Sequence, residues 1–116
     1  ELHQLSGGER QRVLIARCIA QGAGTLLLDE PTNHLDVRYQ HELLSLLRRL
    51  GLATIVVLHD LNLAARYCDQ VVLLDAGTVV AAGDALVVLD PERLSAIYGV
   101  GCRRLTDERG TVLVFG

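Results

Sequence analysis

Two short apolar runs, each ending on titratable side chains, constrain this chain most. Thr25-Leu26-Leu27-Leu28 stops at Asp29-Glu30-Pro31, and Ala53-Thr54-Ile55-Val56-Val57-Leu58 stops at His59-Asp60. Both are too short for a typical buried helix, and a proline closes the first. The pattern predicts strands covered on both faces, as in a parallel sheet. Between them, a helix is expected from Asp36 or nearby to about Leu50, with Gly51 as its stop. Leu43, Leu44, Leu46, Leu47 and Leu50 form its broad apolar face.

The flanking segments read in the same way. Leu5-Ser6-Gly7-Gly8-Glu9-Arg10-Gln11-Arg12 is expected as a loop motif leading into a helix. Val13, Leu14, Ile15, Ala16, Cys18, Ile19 and Ala20 supply its small or apolar side, and Gly22 its stop. Ser6 is placed to cap that helix, with Glu9 three residues on, as a capping box requires. Beyond the second strand, a short helix fits Leu61 to Tyr67, and Asp60 is placed to cap it. A third strand follows over Asp69 to Leu74. The turn Asp75-Ala76-Gly77-Thr78 then leads into Val79-Val80-Ala81-Ala82-Gly83 as a hairpin. Pro91 can open a helix through Tyr98. Val100–Leu105 and Thr111–Phe115 predict a terminal hairpin around Asp107-Glu108-Arg109-Gly110. Strand, helix, strand, helix, strand in the middle of the chain defines an α/β domain.

Composition narrows the chemistry. The 116 residues suffice for one small domain, and half of them are hydrophobic, as in a packed chain. All 11 strongly basic residues are arginine. No lysine is available for Schiff-base chemistry or for cradling phosphate in a glycine-rich loop. A net charge of −3 argues against broad nucleic-acid binding and leaves room for a local basic patch. Cys18, Cys68 and Cys102 are odd in number and widely spaced, which fits neither a disulfide framework nor a zinc site and suits a reducing compartment. No apolar run approaches the roughly 18 residues of a spanning helix. Leu2-His3-Gln4-Leu5 gives no sign of a signal peptide.

The candidate chemistry sits at the ends of the two apolar strands. In a parallel sheet those ends form the ligand crevice. Asp29 can hold Mg²⁺ directly or through its waters, because magnesium prefers oxygen ligands and keeps part of its hydration. Glu30 can orient and deprotonate a water attacking a γ-phosphate. His59 is expected beside this carboxylate pair, where an imidazole can donate to that phosphate. Taken alone, Asp29-Glu30-Pro31 is also a charged turn and His59 a surface histidine. Ser6-Gly7-Gly8 lets backbone approach phosphate oxygens at a helix start, where free N–H groups and the positive dipole end favour anions. Ser-Gly-Gly is equally a generic flexible loop. His3, His34 and His41 match no metal-site spacing with His59. Arg10, Arg12 and Arg17 share one helix, as ion-pair partners or as a solvated face.

Together these strings resemble a known family. Leu5 to Arg12 resembles the ABC-ATPase signature motif, Leu26-Leu27-Leu28-Asp29-Glu30-Pro31 the Walker B segment, Thr32-Asn33-His34-Leu35-Asp36 the D-loop, and His59 the switch histidine. The four occur in the family's order. The resemblance covers nearly the whole chain and corresponds to the C-terminal half of a nucleotide-binding domain. The Walker A lysine loop, the adenine-stacking aromatic and the glutamine loop are not among these residues. The fold it implies is α/β, a partial P-loop NTPase fold with a parallel sheet core, flanking helices and a C-terminal β-hairpin. Residues 1–24 would form the signature loop and helix, 25–83 part of the catalytic core, and 84–116 a tail. His59-Asp60-Leu61-Asn62-Leu63-Ala64-Ala65-Arg66-Tyr67-Cys68-Asp69 and the tail Leu94-Ser95-Ala96-Ile97-Tyr98-Gly99-Val100 are similar to importers of the iron-siderophore, haem and cobalamin group.

The resemblance implies an ATPase, with ATP and Mg²⁺, that powers an importer for iron-siderophore complexes or haem. Two such subunits would dimerise head to tail, and Ser6, Gly7 and Gly8 would contact the γ-phosphate held by the opposite subunit. Asp29 would organise Mg²⁺, Glu30 would be the general base, His59 would sense the γ-phosphate and Asp36 would couple the two sites. The partners implied are transmembrane permease subunits and, indirectly, a substrate-binding protein, with no nucleic acid. The implied location is peripheral, on the cytoplasmic face of the cell membrane. Two alternatives share parts of the pattern: a non-transport ABC ATPase, and a non-catalytic remnant without the Walker A loop. The isolated 116-residue chain is expected to bind Mg-ATP weakly without turning it over.

Overall fold

The computed structural model describes residues 7–22 and 24–116. The chain forms two compact units, 1–59 and 60–116. Ser6 lies outside the described residues, so its expected cap does too.

The first unit contains α1 (Gly7–Ala20), β1 (Thr25–Asp29), α2 (Val37–Leu50) and β2 (Ala53–Val57). Gly7 to Arg12 is already helical, where the sequence suggested loop. Past Ala20, Gly22 takes a positive φ of 77° and donates its N–H to Ile19, which ends the helix as expected. Asp36 caps α2 by accepting from the Tyr39 N–H at 3.1 Å, and Gly51 closes it in the left-handed region at φ 66°. β1 and β2 pair in parallel, with Leu26 opposite Thr54 and Asp29 opposite Val57.

The expectation that both faces of these strands are covered is corrected. Leu26 is buried, whereas Leu27 is 74% exposed and Ile55 62% exposed. Successive side chains point to opposite faces, and among the described residues only one face receives a packing layer. That layer holds Ile15 of α1 and Leu43, Leu44 and Leu47 of α2. α1 packs on α2, and the Arg12 guanidinium meets the Glu42 carboxylate across them at 2.7 Å.

The second unit contains α3 (Leu61–Tyr67), β3 (Gln70–Asp75), β4 (Thr78–Asp84), α4 (Ala85–Val88), α5 (Pro91–Tyr98), β5 (Cys102–Asp107) and β6 (Gly110–Phe115). β3 does not join β1 and β2; it pairs antiparallel with β4, and Val80 bulges where the register shifts. The two-residue turn Ala76-Gly77 carries positive φ at both positions, 49° and 77°, as a type I′ hairpin turn requires. β5 and β6 form the terminal hairpin.

Asp60 caps α3 with two bonds, from the N–H groups of Asn62 and Leu63. The Asn62 amide donates to the Leu113 carbonyl and accepts from its N–H, tying α3 to β6. α4 is the element with no sequence signal, since four residues rich in valine carry no helical period. Its place is fixed by burial of Ala85, Val88 and Leu89, while Arg93 and Arg104 donate to carbonyls at its end. Asp90 caps α5, with Pro91 in its first turn.

Candidate nucleotide-phosphate site

The parallel pairing of β1 and β2 brings Asp29, Glu30 and His59 to one end of the sheet. Asp29 is the last residue of β1 and exposed, and its carboxylate has no hydrogen bond or ion pair among the described residues. Glu30 then leaves the strand. Its N–H donates to the Val57 carbonyl at 3.0 Å, which extends the ladder by one bond, and its own carbonyl accepts from the Asn33 N–H at 3.0 Å. Between these bonds its backbone turns into the left-handed region at φ 48°. For a side chain with a Cβ this costs about 1 kcal/mol. Burial of Pro31 and Thr32 behind it holds the turn.

This turn aims the Glu30 carboxylate at β2's end. His59 Nε2 hydrogen-bonds Glu30 Oε1, and Asn33 Nδ2 reaches Oε2 at 3.4 Å. An ionised carboxylate only accepts, so with Glu30 ionised the donor in this contact is the histidine Nε2–H. The imidazole is 80% exposed and the glutamate side chain 34%, so one edge of the pair faces solvent. Such a pair can hold a water against a substrate phosphate and take its proton. Asn33 is the contact that sequence reasoning missed; its place three residues after Glu30, inside the turn, was the available signal.

The remaining candidates fall into three positions. Gly7 and Gly8 form the first turn of α1, where N–H groups lack intrahelical partners. Asp36 is committed to capping α2. Asp29 carries the open carboxylate. For Mg²⁺ this donor set fits, since the ion typically takes one or two carboxylates and completes its shell with water and substrate phosphate oxygens.

Acid and histidine at one end of a parallel strand pair, with helices and two antiparallel hairpins, make an α/β fold. Known proteins make the class specific. The family model described as ABC transporter matches residues 1–33. The haemin import ATP-binding protein HmuV of Pseudomonas fluorescens is 50% identical over 95% of this chain and 47% of its own. The iron(3+)-hydroxamate import ATP-binding protein FhuC of Bacillus subtilis is 46% identical over 93% of this chain and 42% of its own. A solved inward-facing transporter of the metal-chelate ABC type superposes with a TM-score of 0.83 at 32% identity, over 100% of this chain and 48% of that one. The chain belongs to the ABC-transporter nucleotide-binding domains. It spans about half the length of the curated relatives it matches.

Proposed function

We propose that this chain is the C-terminal portion of the ATP-binding and ATP-hydrolysing subunit of an ABC importer for iron-siderophore complexes or haem. The observation that carries this reading is the Glu30–His59 contact at the ends of two parallel strands, with Asn33 on the second carboxylate oxygen. Support for the cargo comes from the similarity to haemin and iron-hydroxamate import proteins.

In this reading Glu30 is the general base. Its carboxylate accepts a proton from the attacking water, while His59 fixes one oxygen and Asn33 steadies the other. As the nucleotide arrives, the Nε2–H of the mostly exposed His59 passes from Glu30 to the γ-phosphate, which leaves that carboxylate oxygen open to the water's proton. Asp29 holds Mg²⁺, which when bound neutralises phosphate charge. Ser6, Gly7 and Gly8 meet the γ-phosphate of the opposite subunit, the two glycines through backbone N–H groups in the first turn of α1. Asp36, just after the turn, couples the two sites while capping α2. The partners are a second ATPase subunit, head to tail, and transmembrane permease subunits served by a substrate-binding protein. The site of action is the cytoplasmic face of the membrane. Among the described residues no helix is long and apolar enough to cross it.

The test is phosphate release by the whole ATPase assembled with its permease. Glu30→Gln is expected to lower turnover about 100-fold or more while ATP binding is retained. Unchanged turnover would overturn the base assignment.

A further inference from the structure

Along α2 of the first unit, beside Arg12 of α1, lies a groove with a cavity volume of about 690 Å³. Arg38, Glu42, Ser45 and Arg49 line it from α2 and Arg12 from α1. The α2 residues are spaced four, three and four apart, which puts them in one stripe along the helix. At 1.5 Å per residue the stripe runs about 16 Å. Glu42 sits between two guanidiniums, at 2.7 Å from Arg12 and 3.0 Å from Arg38, and holds them side by side. Each of these arginines engages Glu42 through a single nitrogen, so further N–H donors remain on each fork. The Arg49 guanidinium has no ion pair or hydrogen bond among the described residues. Three guanidiniums face one carboxylate, an excess of two positive charges on a chain whose net charge is −3.

We propose that this groove docks an acidic segment of a partner protein. Guanidinium forks match carboxylates in geometry as well as charge. The cations are strung along a line, so a single small anion would leave most of the stripe unused. An extended chain advances about 3.3 Å per residue, and roughly five residues cover the stripe. Small-molecule pockets are mostly apolar, and this groove is lined by charged and hydroxyl side chains. A nucleic acid is disfavoured by the carboxylate in mid-stripe and by the acidic balance of the chain.

The experiment uses the full chain and a fluorescein-labelled hexaglutamate peptide, with binding read by fluorescence anisotropy. Hexaglutamine and a deoxythymidine hexamer carrying the same label, together with unlabelled tripolyphosphate as competitor, separate the chemistries. Hexaglutamate is expected to bind, with affinity falling as salt is raised, and hexaglutamine is not. Arg49→Glu should weaken binding about fivefold or more. Arg49→Gln should act in the same direction with a smaller factor. Arg103→Glu, on exposed β5 in the other unit, should change it less than about twofold. The proposal is overturned if Arg49→Glu leaves binding unchanged, if Arg103→Glu weakens it equally, or if the groove prefers the oligonucleotide or tripolyphosphate to hexaglutamate.

Discussion

Glu30 and His59 stand 29 residues apart in the chain and share a hydrogen bond between Oε1 and Nε2. The parallel register sets this meeting, because it places the last residue of β1 opposite Val57, two residues before His59. The left-handed turn at Glu30 does the rest by swinging the carboxylate toward β2.

Asn33 completes the arrangement from within the turn, reaching Glu30 Oε2 at 3.4 Å. This bond is long and its residues are partly exposed, so its contribution to stability is small. Asn33→Ala is expected to change unfolding free energy by less than about 0.5 kcal/mol. In the assembled ATPase it should lower turnover several-fold, by loosening the carboxylate. Urea denaturation and phosphate release, measured on the same variant, check both halves.

Asp36 is bound to the start of α2 whatever else it does. Asp36→Ala should cost about 1 kcal/mol, the usual loss of a cap, and Asp36→Ser should restore most of it. If Asp36 also couples paired sites, the serine variant will recover stability but not the cooperativity of ATP hydrolysis. Chemical denaturation and the Hill coefficient for ATP separate the two roles.

The β3–β4 turn contains an alanine in a conformation better suited to asparagine or glycine. Ala76→Asn creates the Asn-Gly pair favoured in type I′ turns. It is expected to stabilise the chain by about 0.5–1 kcal/mol, and Gly77→Ala to destabilise it by at least as much. Thermal melts of the two variants, shifting in opposite directions, are the check.

Glu42 should titrate below the ordinary carboxylate range. The hydrogen bond from Arg38 is the largest cause, with Arg12 adding a second. The sign follows from linkage. A lowered folded-state pKa means the pair's contribution is present above the unfolded-state value and is lost as pH falls through the folded value. Carbon-detected NMR titration should show a depressed midpoint for Glu42, moving back up in Arg38→Ala. High salt should have the same direction of effect, because both partners face solvent.

Much of this fold can be read from local signals. Asp36 and Gly51 bracket α2, Asp60 and Pro91 open α3 and α5, and Ala76-Gly77 marks the hairpin, each through chemistry within a few residues. The Glu30–His59 meeting is legible too, once both apolar runs are taken as neighbouring parallel strands. What resists sequence reasoning depends on distant partners. The valine-rich α4 exists because residues of α5 and β5 complete its end. Burial was misjudged for a related reason: Leu26 and Leu27 are chemically alike, and only the pleat sends them to opposite faces. Asn33 escaped notice because an asparagine in a turn normally bonds its own backbone.

The central claim is that Glu30 and His59 act on ATP as one unit. The most direct measurement is a double-mutant cycle on steady-state phosphate release by the assembled ATPase, using Glu30→Gln, His59→Ala and the combination. Groups that work as a unit give strongly non-additive losses. The account predicts a large loss for each single variant, about 100-fold or more, and a double variant no slower than the slower single. Losses that multiply in the double variant would show that the two side chains act independently, and would contradict it.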